Sequence, residues 1–445
     1  MTFDTSRDKL SVLTEKAILV SVALPNRPWV GKDPLEELRG LASTAGAQVV
    51  GGLTQQRRQI HPGSYIGRGK LGELIELVEA SDANVVIFDN DLTPGQVKTL
   101  EKATEAKVID RSELILDIFA TRARSLVAKL QVELAQLEYS LPRLKQMWSH
   151  LSRQSGSGGS GGGIGTRGPG ETQLETDRRL VANRIRDLKQ KLAVAQARKT
   201  REVETRSEEF TVSLVGYTNA GKSRLMNTLT KAGVYVQDQL FSTLETRTRQ
   251  WHIKDFGRIL LSDTVGFIRN LPHHLVASFK ATLEEARQSR LLLHVVDASN
   301  PSAEEHMKAV RSVLEELECG DKPTLLVLNK IDKIADRTVL DVLRHQHPRA
   351  VAISGATGEG MEEFVDAVVE ALSSDFADAE VVTDAANGRV LSYLGAHAEI
   401  YRQQYEGDKV HLRCYVPKHL LHHIQGPGVE VTFLADSVHR NGKAG

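Results

Sequence analysis

Cysteine is almost absent from this chain: its 445 residues include only Cys319 and Cys414. Two thiols cannot build a disulfide framework or a four-ligand zinc site, and so few of them point to a reducing compartment. Aromatic residues make up 5% of the sequence against 40% hydrophobic residues, the balance of a folded, helix-rich chain rather than of an all-β or disordered one. Net charge is missing as well, because 57 Lys and Arg are matched by 57 Asp and Glu. On charge alone the chain is neither a nucleic-acid binder nor an acidic-tail protein. No apolar run approaches the roughly 18 residues that span a bilayer, and the N-terminal MTFDTSRDKLSVLTEK lacks the apolar core of a signal peptide. These absences leave a multidomain cytoplasmic protein, expected to be a monomer without a membrane span, and its length predicts about two to four domains.

What is present is ordered along the chain. From Lys16 to Ala120 the apolar runs AILVSVAL, AQVVGGL, NVVIFDN and AKVID alternate with helical patterns near Leu35–Ala45, near Lys70–Ala80 and after Pro94. That βαβα rhythm predicts an N-terminal α/β domain over residues 1–120 with a largely parallel sheet. Over residues 121–209 the period changes: Leu126, Leu130, Leu134, Leu137, Leu141, Leu144, Trp148 and Leu151 recur at spacings of three and four. Val181, Ile185, Leu188 and Leu192 repeat the spacing beyond a glycine-rich break, which predicts an antiparallel helical hairpin. The break, residues 155–170, has nine glycines among the fifteen residues Gly156–Gly170 and is expected to be non-helical.

The break reads either as a flexible Gly/Ser linker or as the tip of a basic arm. From Arg143 to Lys191 ten Lys or Arg (Arg143, Lys145, Arg153, Arg167, Arg178, Arg179, Arg184, Arg186, Lys189, Lys191) face four acids (Glu171, Glu175, Asp177, Asp187), a surplus of six by subtraction. A protruding basic hairpin suits RNA. Charge runs on long helices are also commonly solvated faces, so the count alone leaves both readings open.

The strongest signal begins at Phe210. The β-rich run FTVSLVG feeds into GYTNAGKS, which is Gly216, Tyr217, Thr218, Asn219, Ala220, Gly221, Lys222 and Ser223, and then into the helical RLMNTLTKA. This is G-x-x-x-x-G-K-S between a strand and a helix, the context that a Walker A phosphate loop requires. Gly216 and Gly221 let the backbone wrap the phosphates, the helix N-terminus offers unpaired N–H groups to anionic oxygen, and Lys222 neutralises the β and γ phosphates. Ser223 supplies a hydroxyl to Mg²⁺.

The base is chosen downstream by TLLVLNKID, a buried-strand pattern ending in Asn329, Lys330, Ile331 and Asp332. The Asp332 carboxylate can accept from the guanine N1–H and N2 amino groups, which adenine does not present in that arrangement. Asn329 can hold the base edge and the phosphate loop together, and the Lys330 stem can cover the face of the base. AISGA supplies Ser354, Gly355 and Ala356, the last with a backbone N–H for guanine O6. As a bare string NKID could be a helix entry with Asp as its cap; its place after a Walker A element and in strand register favours guanine.

Between these elements lie FSTLETRTR and RILLSDTVGF. Phe241, Ser242, Thr243, Leu244 and Glu245 form a threonine loop in which Thr243 is the second hydroxyl for Mg²⁺ when the triphosphate is present. Asp263, Thr264, Val265 and Gly266 complete the nucleotide contacts, Asp263 holding Mg²⁺ through water and Gly266 bonding the γ phosphate. The order Walker A, threonine loop, DTVG, NKID, SGA is that of a GTPase domain, placed over residues 210–373 and followed by a small α/β C-terminal domain over 374–445. Phe267 stands where Ras-like proteins carry a glutamine that orients the attacking water. Intrinsic hydrolysis is therefore expected to be slow, and Asn219 is expected to help coordinate a monovalent cation, K⁺, near the charge that an arginine finger would otherwise compensate. Lys222, Thr243, Gly266 and Asn219 are the residues expected to act in hydrolysis.

GGGIGTRGPGETQLETDRR, SYIGRGKL, GYTNAGKS, LFSTLETRTR and DTVGFI together resemble the HflX GTPases, within the Obg/HflX-like group of P-loop GTPases, from the N-terminal domain through the GTPase domain. The resemblance implies a ribosome-associated GTPase whose N-terminal domain and hairpin contact the large ribosomal subunit and its RNA. It further implies a role in splitting or rescuing stalled ribosomes under stress, with hydrolysis stimulated by ribosomes. The threonine loop reads LETRTR where the family commonly has a form like LDPTTR, so Thr243 carries over while Thr246 and Arg247 take no assured role. The rival reading is a non-ribosomal regulatory GTPase that uses the hairpin as a protein-docking arm; a third, an adenine-specific ATPase, would have no preference for GTP.

Three further groups are weighed on chemistry alone. His273 and His274, after the DTVG loop, read as ordinary solvent-facing residues rather than catalytic ones. Val410, Leu412, Cys414 and Val416 alternate as one buried strand face, so Cys414 reads as core despite nearby His419, His422 and His423. Ser64–Lys70, SYIGRGK, could be a phosphate-binding turn, but it lacks the Gly-Lys-Ser ending, which makes a second nucleotide site there the minor reading.

Overall fold

The computed structural model describes residues 15–434 apart from 30, 32, 156–168, 205–209, 231–239, 242, 244–245, 255, 270–284, 374–375, 419–420 and 425–427. The chain forms two compact units: residues 1–198 with 237–245 and 266–282, and residues 199–236 with 246–265 and 283–445.

In the first unit β1 (Lys16–Ala23), β2 (Gln48–Gln56), β3 (Val85–Phe88) and β4 (Lys107–Asp110) form a parallel sheet in the order β2-β1-β3-β4. Parallel neighbours need crossovers, supplied by α1 (Glu36–Ala45), α2 (Arg68–Ser81) and α3 (Pro94–Thr104). β3 is buried throughout and β1 everywhere but Lys16, the continuous burial of strands covered on both faces. α3 starts on a capping box: Thr93 Oγ1 accepts from the Gln96 N–H at 3.4 Å, Gln96 Oε1 accepts from the Thr93 N–H at 2.9 Å, and Pro94 opens the helix.

Three helices follow: α4 (Arg111–Arg122), α5 (Leu126–Ser155) and α6 (Pro169–Glu204). Asp110, fully buried, ends β4 and caps α4. Its Oδ1 accepts from the Glu113 N–H at 2.9 Å and the Tyr139 hydroxyl at 2.7 Å, and its Oδ2 from the Leu92 N–H at 3.1 Å and Arg143 Nη2 at 2.5 Å. The Arg143 guanidinium also lies 3.7 Å from the centre of the Tyr139 ring. One carboxylate therefore fixes α5 to the sheet.

Leu134, Leu188 and Leu192 are buried together, with Val127, Leu130, Leu137 and Ile185 packed around them. Leu126, by contrast, is 73% exposed, so the apolar stripe does not extend to the first residue of α5. The side chains of Leu144, Trp148 and Leu151 lie outside the described residues. α6 begins inside the stretch expected to be non-helical: Pro169 has no N–H to lose at a helix start, which makes it a good opening residue. The basic surplus also shrinks in three dimensions. Arg143 pairs with Asp110, Arg184 with Glu133 through two bonds of 2.7 and 3.0 Å, Lys189 with Glu138 at 2.8 Å and Lys191 with Asp187 at 3.0 Å. Asp110, Glu133 and Glu138 precede the counted window, so the linear count omitted the acids that answer three of these four cations.

The second unit holds a six-stranded sheet of β5 (Phe210–Gly216), β6 (Arg247–Ile253), β7 (Gly257–Asp263), β8 (Leu291–Asp297), β9 (Thr324–Asn329) and β10 (Val351–Ala352). Its order is β10-β9-β8-β5-β7-β6, all parallel except β6 against β7. α7 (Lys222–Thr230), α8 (Ala303–Glu316), α9 (Arg337–Gln346) and α10 (Met361–Ser373) complete a doubly wound α/β arrangement. Val212, Leu214, Leu293, Val295, Val327 and Phe364 form its fully buried centre.

After α10 the sheet type changes. β11 (Phe376–Asp384), β12 (Glu399–Glu406), β13 (Lys409–Pro417) and β14 (Val429–Phe433) form an antiparallel sheet in the order β12-β13-β11-β14, with α11 (Gly388–His397) and α12 (Leu421–Ile424). Val410, Leu412, Cys414 and Val416 make one buried face. Burial pushes the Cys414 thiol up to about 12, so it stays protonated in that core.

Asp110→Ala would take from the Arg143 guanidinium its buried carboxylate partner, leaving it the Leu92 carbonyl at 3.0 Å, and would leave two backbone N–H groups without their acceptor. The unfolding free energy of the first unit is expected to fall by about 3 kcal/mol in a denaturant titration; a loss below about 1 kcal/mol would mean that Asp110 does not anchor α5.

Candidate functional site

The parallel order sets the carboxyl ends of β9, β8, β5 and β7 side by side, the edge where doubly wound sheets take their ligands. Each end carries a polar residue of the second unit: Asn329, Asp297, the phosphate loop and Asp263. β5 runs into the loop through Gly216, at φ +152, where a Cβ would strike the Val295 carbonyl of the neighbouring strand. Gly221, at φ +94, faces Asn329 Nδ2 with the same consequence. Asn219 is exposed at φ +61, a left-handed conformation that asparagine tolerates better than most side chains.

Lys222 is 6% exposed and its Nζ donates to the carbonyls of Gly216 at 3.0 Å and Tyr217 at 2.9 Å. Burial pushes its ammonium down to about 8, against the opposing pull of Asp263. The Tyr217 ring stacks on His306 of α8 with centroids 3.8 Å apart. The buried Thr218 hydroxyl has no partner among the described residues. Ser223 Oγ donates to Asp263 Oδ2 at 2.6 Å, which brings together two of the three residues expected at Mg²⁺. Thr264 Oγ1 donates to the Leu214 carbonyl at 2.7 Å and so fixes the chain leaving Asp263 toward the buried Val265.

Asn329 is 2% exposed and makes two bonds: Nδ2 donates to the Ala220 carbonyl at 2.8 Å, and Oδ1 accepts from the Gly355 N–H at 2.9 Å. Lys330 is left-handed at φ +65 and its Nζ pairs with Asp297 Oδ2 at 2.8 Å. Ile331 opens a short 3₁₀ turn, Ile331–Lys333, that presents Asp332. Asp332 Oδ1 accepts from Ser354 Oγ at 2.6 Å. Ser354 Oγ accepts in turn from the N–H groups of Ala356 at 3.2 Å and Thr357 at 3.1 Å. The Ala356 N–H expected at guanine O6 therefore donates to Ser354 here, and Ser354 serves as the support of Asp332.

Thr243 and Gly266 belong to the first unit, as do Phe241 and Phe267. Thr243 is buried, and Phe241 packs edge-to-face on Phe119 with centroids 4.6 Å apart. Phe267 is itself 2% exposed, a core residue as well as the occupant of the glutamine position. Ser242, Leu244, Glu245, His273 and His274 lie outside the described residues. In the second unit Thr246 Oγ1 and Thr248 Oγ1 donate to the two Glu285 carboxylate oxygens at 2.9 and 3.1 Å, which gives Thr246 a structural place. In SYIGRGK the Gly67 N–H donates to Gln55 Oε1 at 3.0 Å and Ser64 Oγ to the Ile66 carbonyl at 2.8 Å, so these donors of the turn are used internally.

Two residues at the site escaped the sequence. Asp297 had a signal, an aspartate ending the buried run LLLHVVD. His306 had none, since its contact with Tyr217 is made across the fold.

Comparison with known proteins agrees along the chain. Family profiles described as GTP-binding GTPase N-terminal, GTP-binding GTPase Middle Region and 50S ribosome-binding GTPase match residues 32–120, 122–206 and 211–330. The chain is 44% identical over 407 residues to GTPase HflX of Escherichia coli (strain K12), covering 91% of this chain and 94% of that protein. It is 41% identical over 414 residues to GTPase HflX of Lacrimispora saccharolytica, covering 93% and 96%. A solved structure, a GTP-binding protein from the archaeon Sulfolobus solfataricus in complex with GDP, is 24% identical with a TM-score of 0.43, over 81% of this chain and 99% of that one.

The depressed Lys222 ammonium has a measurable consequence. With its value lowered from 10.5 to about 8, the free protein loses this proton as pH rises through 8, whereas a bound phosphate favours the charged form. GDP affinity is expected to be flat near pH 7 and to fall above about pH 8 by up to tenfold per unit, with calorimetry detecting little proton uptake on binding at about pH 7 and nearly one proton at about pH 9. Affinity that stays flat to about pH 9.5 would mean that Lys222 is not the group facing phosphate.

Proposed function

The chain belongs to the HflX family of GTPases, and from that premise we propose that it hydrolyses GTP on the large ribosomal subunit and acts there to split or rescue stalled ribosomes. The observation that carries the nucleotide half is Asn329, whose side chain binds the phosphate loop and the Ser354–Ala356 loop at once. In this reading Asp332, supported by Ser354, takes the guanine N1–H and N2 amino group, and Lys330, tethered by Asp297, covers the base. Lys222 and the N–H groups at the start of α7 take the phosphates. The Thr218 hydroxyl is a further donor for them. Thr243 and Gly266 sense the γ phosphate.

Ser223 Oγ and Asp263 Oδ2, 2.6 Å apart, are hard oxygen donors that fit Mg²⁺. Among the described residues no group of three His, Cys, Asp or Glu could cage a metal, in keeping with an ion whose remaining ligands are phosphate and water. When bound, Mg²⁺ neutralises charge on the β and γ oxygens. Asn219, exposed in its left-handed turn, is the ligand we assign to K⁺. Phe267 can neither donate nor accept a hydrogen bond to water, which supports a slow intrinsic rate completed by a partner.

The ribosomal half rests on the family: the profile over residues 211–330 is described as a 50S ribosome-binding GTPase. The exposed arginines of α6, Arg178, Arg179 and Arg186, are the cations we assign to ribosomal RNA. GTP turnover measured with and without large subunits, in KCl and in NaCl, tests the reading. Large subunits are expected to raise kcat by about tenfold or more, and KCl to raise the intrinsic rate over NaCl. No stimulation, with no co-sedimentation in a non-hydrolysable GTP analogue, would favour a regulatory GTPase with a protein-docking arm. Equal rates in the two salts would remove K⁺.

A further inference from the structure

We infer that Glu37 and Arg111 are positioning residues for GTP hydrolysis, acting through Arg269 to fix the loop that carries Gly266. The inference rests on the reading of Gly266 as the γ-phosphate contact and adds what holds it in place. All the contacts lie within the first unit, which takes in residues 266–282 along with the N-terminal sheet.

Arg111, the first residue of α4, is 3% exposed. Its Nη1 donates to Asp89 Oδ1 at 2.6 Å, and its Nη2 donates to Glu37 Oε1 and, at 3.1 Å, to the backbone carbonyl of Arg269. The other Glu37 oxygen accepts from Arg269 Nε at 2.6 Å. The segment after Gly266 is thus gripped at one residue by both its main chain and its side chain. Two guanidinium groups and two carboxylates balance to zero charge in a buried place, so removing any one leaves another uncompensated. Burial alone would raise the Glu37 carboxyl; Arg111 and Arg269 instead draw it down to about 2, and it stays ionised across the physiological range.

The grip is close to Gly266 along the chain. Arg269 is three residues from Gly266, a span of at most about 10 Å of chain, and the intervening Phe267 and Ile268 are buried at 2% and 1% exposure. With one end pinned and both intervening side chains packed, the Gly266 N–H has little freedom left. A γ-phosphate contact gains from that restriction because the ordering is complete before the ligand arrives. GDP, which has no γ phosphate, gains nothing from it. This difference separates positioning from mere stability.

The test uses the full chain and three variants: Glu37→Gln, Arg269→Ala, which spares the Arg111–Glu37 pair, and Gly266→Pro, which removes the N–H itself. Affinities are measured for GDP and for a non-hydrolysable GTP analogue, together with kcat. Glu37→Gln and Arg269→Ala are each expected to weaken the analogue about tenfold and to lower kcat by a similar factor, with GDP affinity held within about twofold. Equal losses for GDP and analogue, or an unchanged ratio of the two, would overturn the inference. Gly266→Pro tells which idea has failed. If it lowers the ratio while the other two variants do not, the positioning role alone is wrong; if it leaves the ratio unchanged, the assignment of Gly266 is wrong and the inference falls with it.

Discussion

The nucleotide site of the second unit depends on the side chain of Asn329. A buried amide with one donor and one acceptor in use joins three pieces of chain that sequence keeps far apart: the end of β9, the phosphate loop at Ala220 and the loop at Gly355. An orphaned amide at such depth would cost about 1–3 kcal/mol, so the two loops are held in register by the need to satisfy it. The same amide explains Gly221, since any Cβ there would collide with Asn329 Nδ2. A glycine that reads as a phosphate-wrapping residue is thus also required by a protein contact. The support spreads from there: Asp332 leans on Ser354, the residue before Gly355, and Lys330, the residue after Asn329, pairs with Asp297.

The chain resolves buried charge differently in its two units. Lys222 is buried beside backbone carbonyls, and burial lowers its hold on a proton, which leaves it poised for an anion from outside. In the first unit the charges are answered internally: Asp110 by Arg143 and Tyr139, Arg111 by Glu37 and Asp89. Adjacent residues at the β4–α4 junction therefore serve two directions, Asp110 toward α5 and Arg111 toward the segment that follows the DTVG loop.

What could be read beforehand was whatever the chain spells locally. The strand, glycine loop and helix of Phe210–Thr230 have a spacing set by the phosphate-binding turn itself, and the parallel sheets follow from apolar runs alternating with helical periods. What depends on contacts across the fold was not legible. The stacking of His306 on Tyr217 leaves no mark in either local sequence, and neither does the answer of Glu133 and Glu138 to the arm's cations. The C-terminal strands are legible in part, as with the buried face around Cys414, but their antiparallel order is not, since strand direction is decided by connections rather than composition. The family resemblance supplied the ribosome, which no distance in the chain can supply.

We propose that the Asn329-held site selects guanine. Displacement of a fluorescent GDP analogue by unlabelled GDP and by ADP measures it at this site alone. GDP is expected to compete at least about a thousandfold better than ADP, because adenine would leave the Asp332 carboxylate without its donors. Equal competition by the two diphosphates would mean that Asp332 does not read the guanine edge.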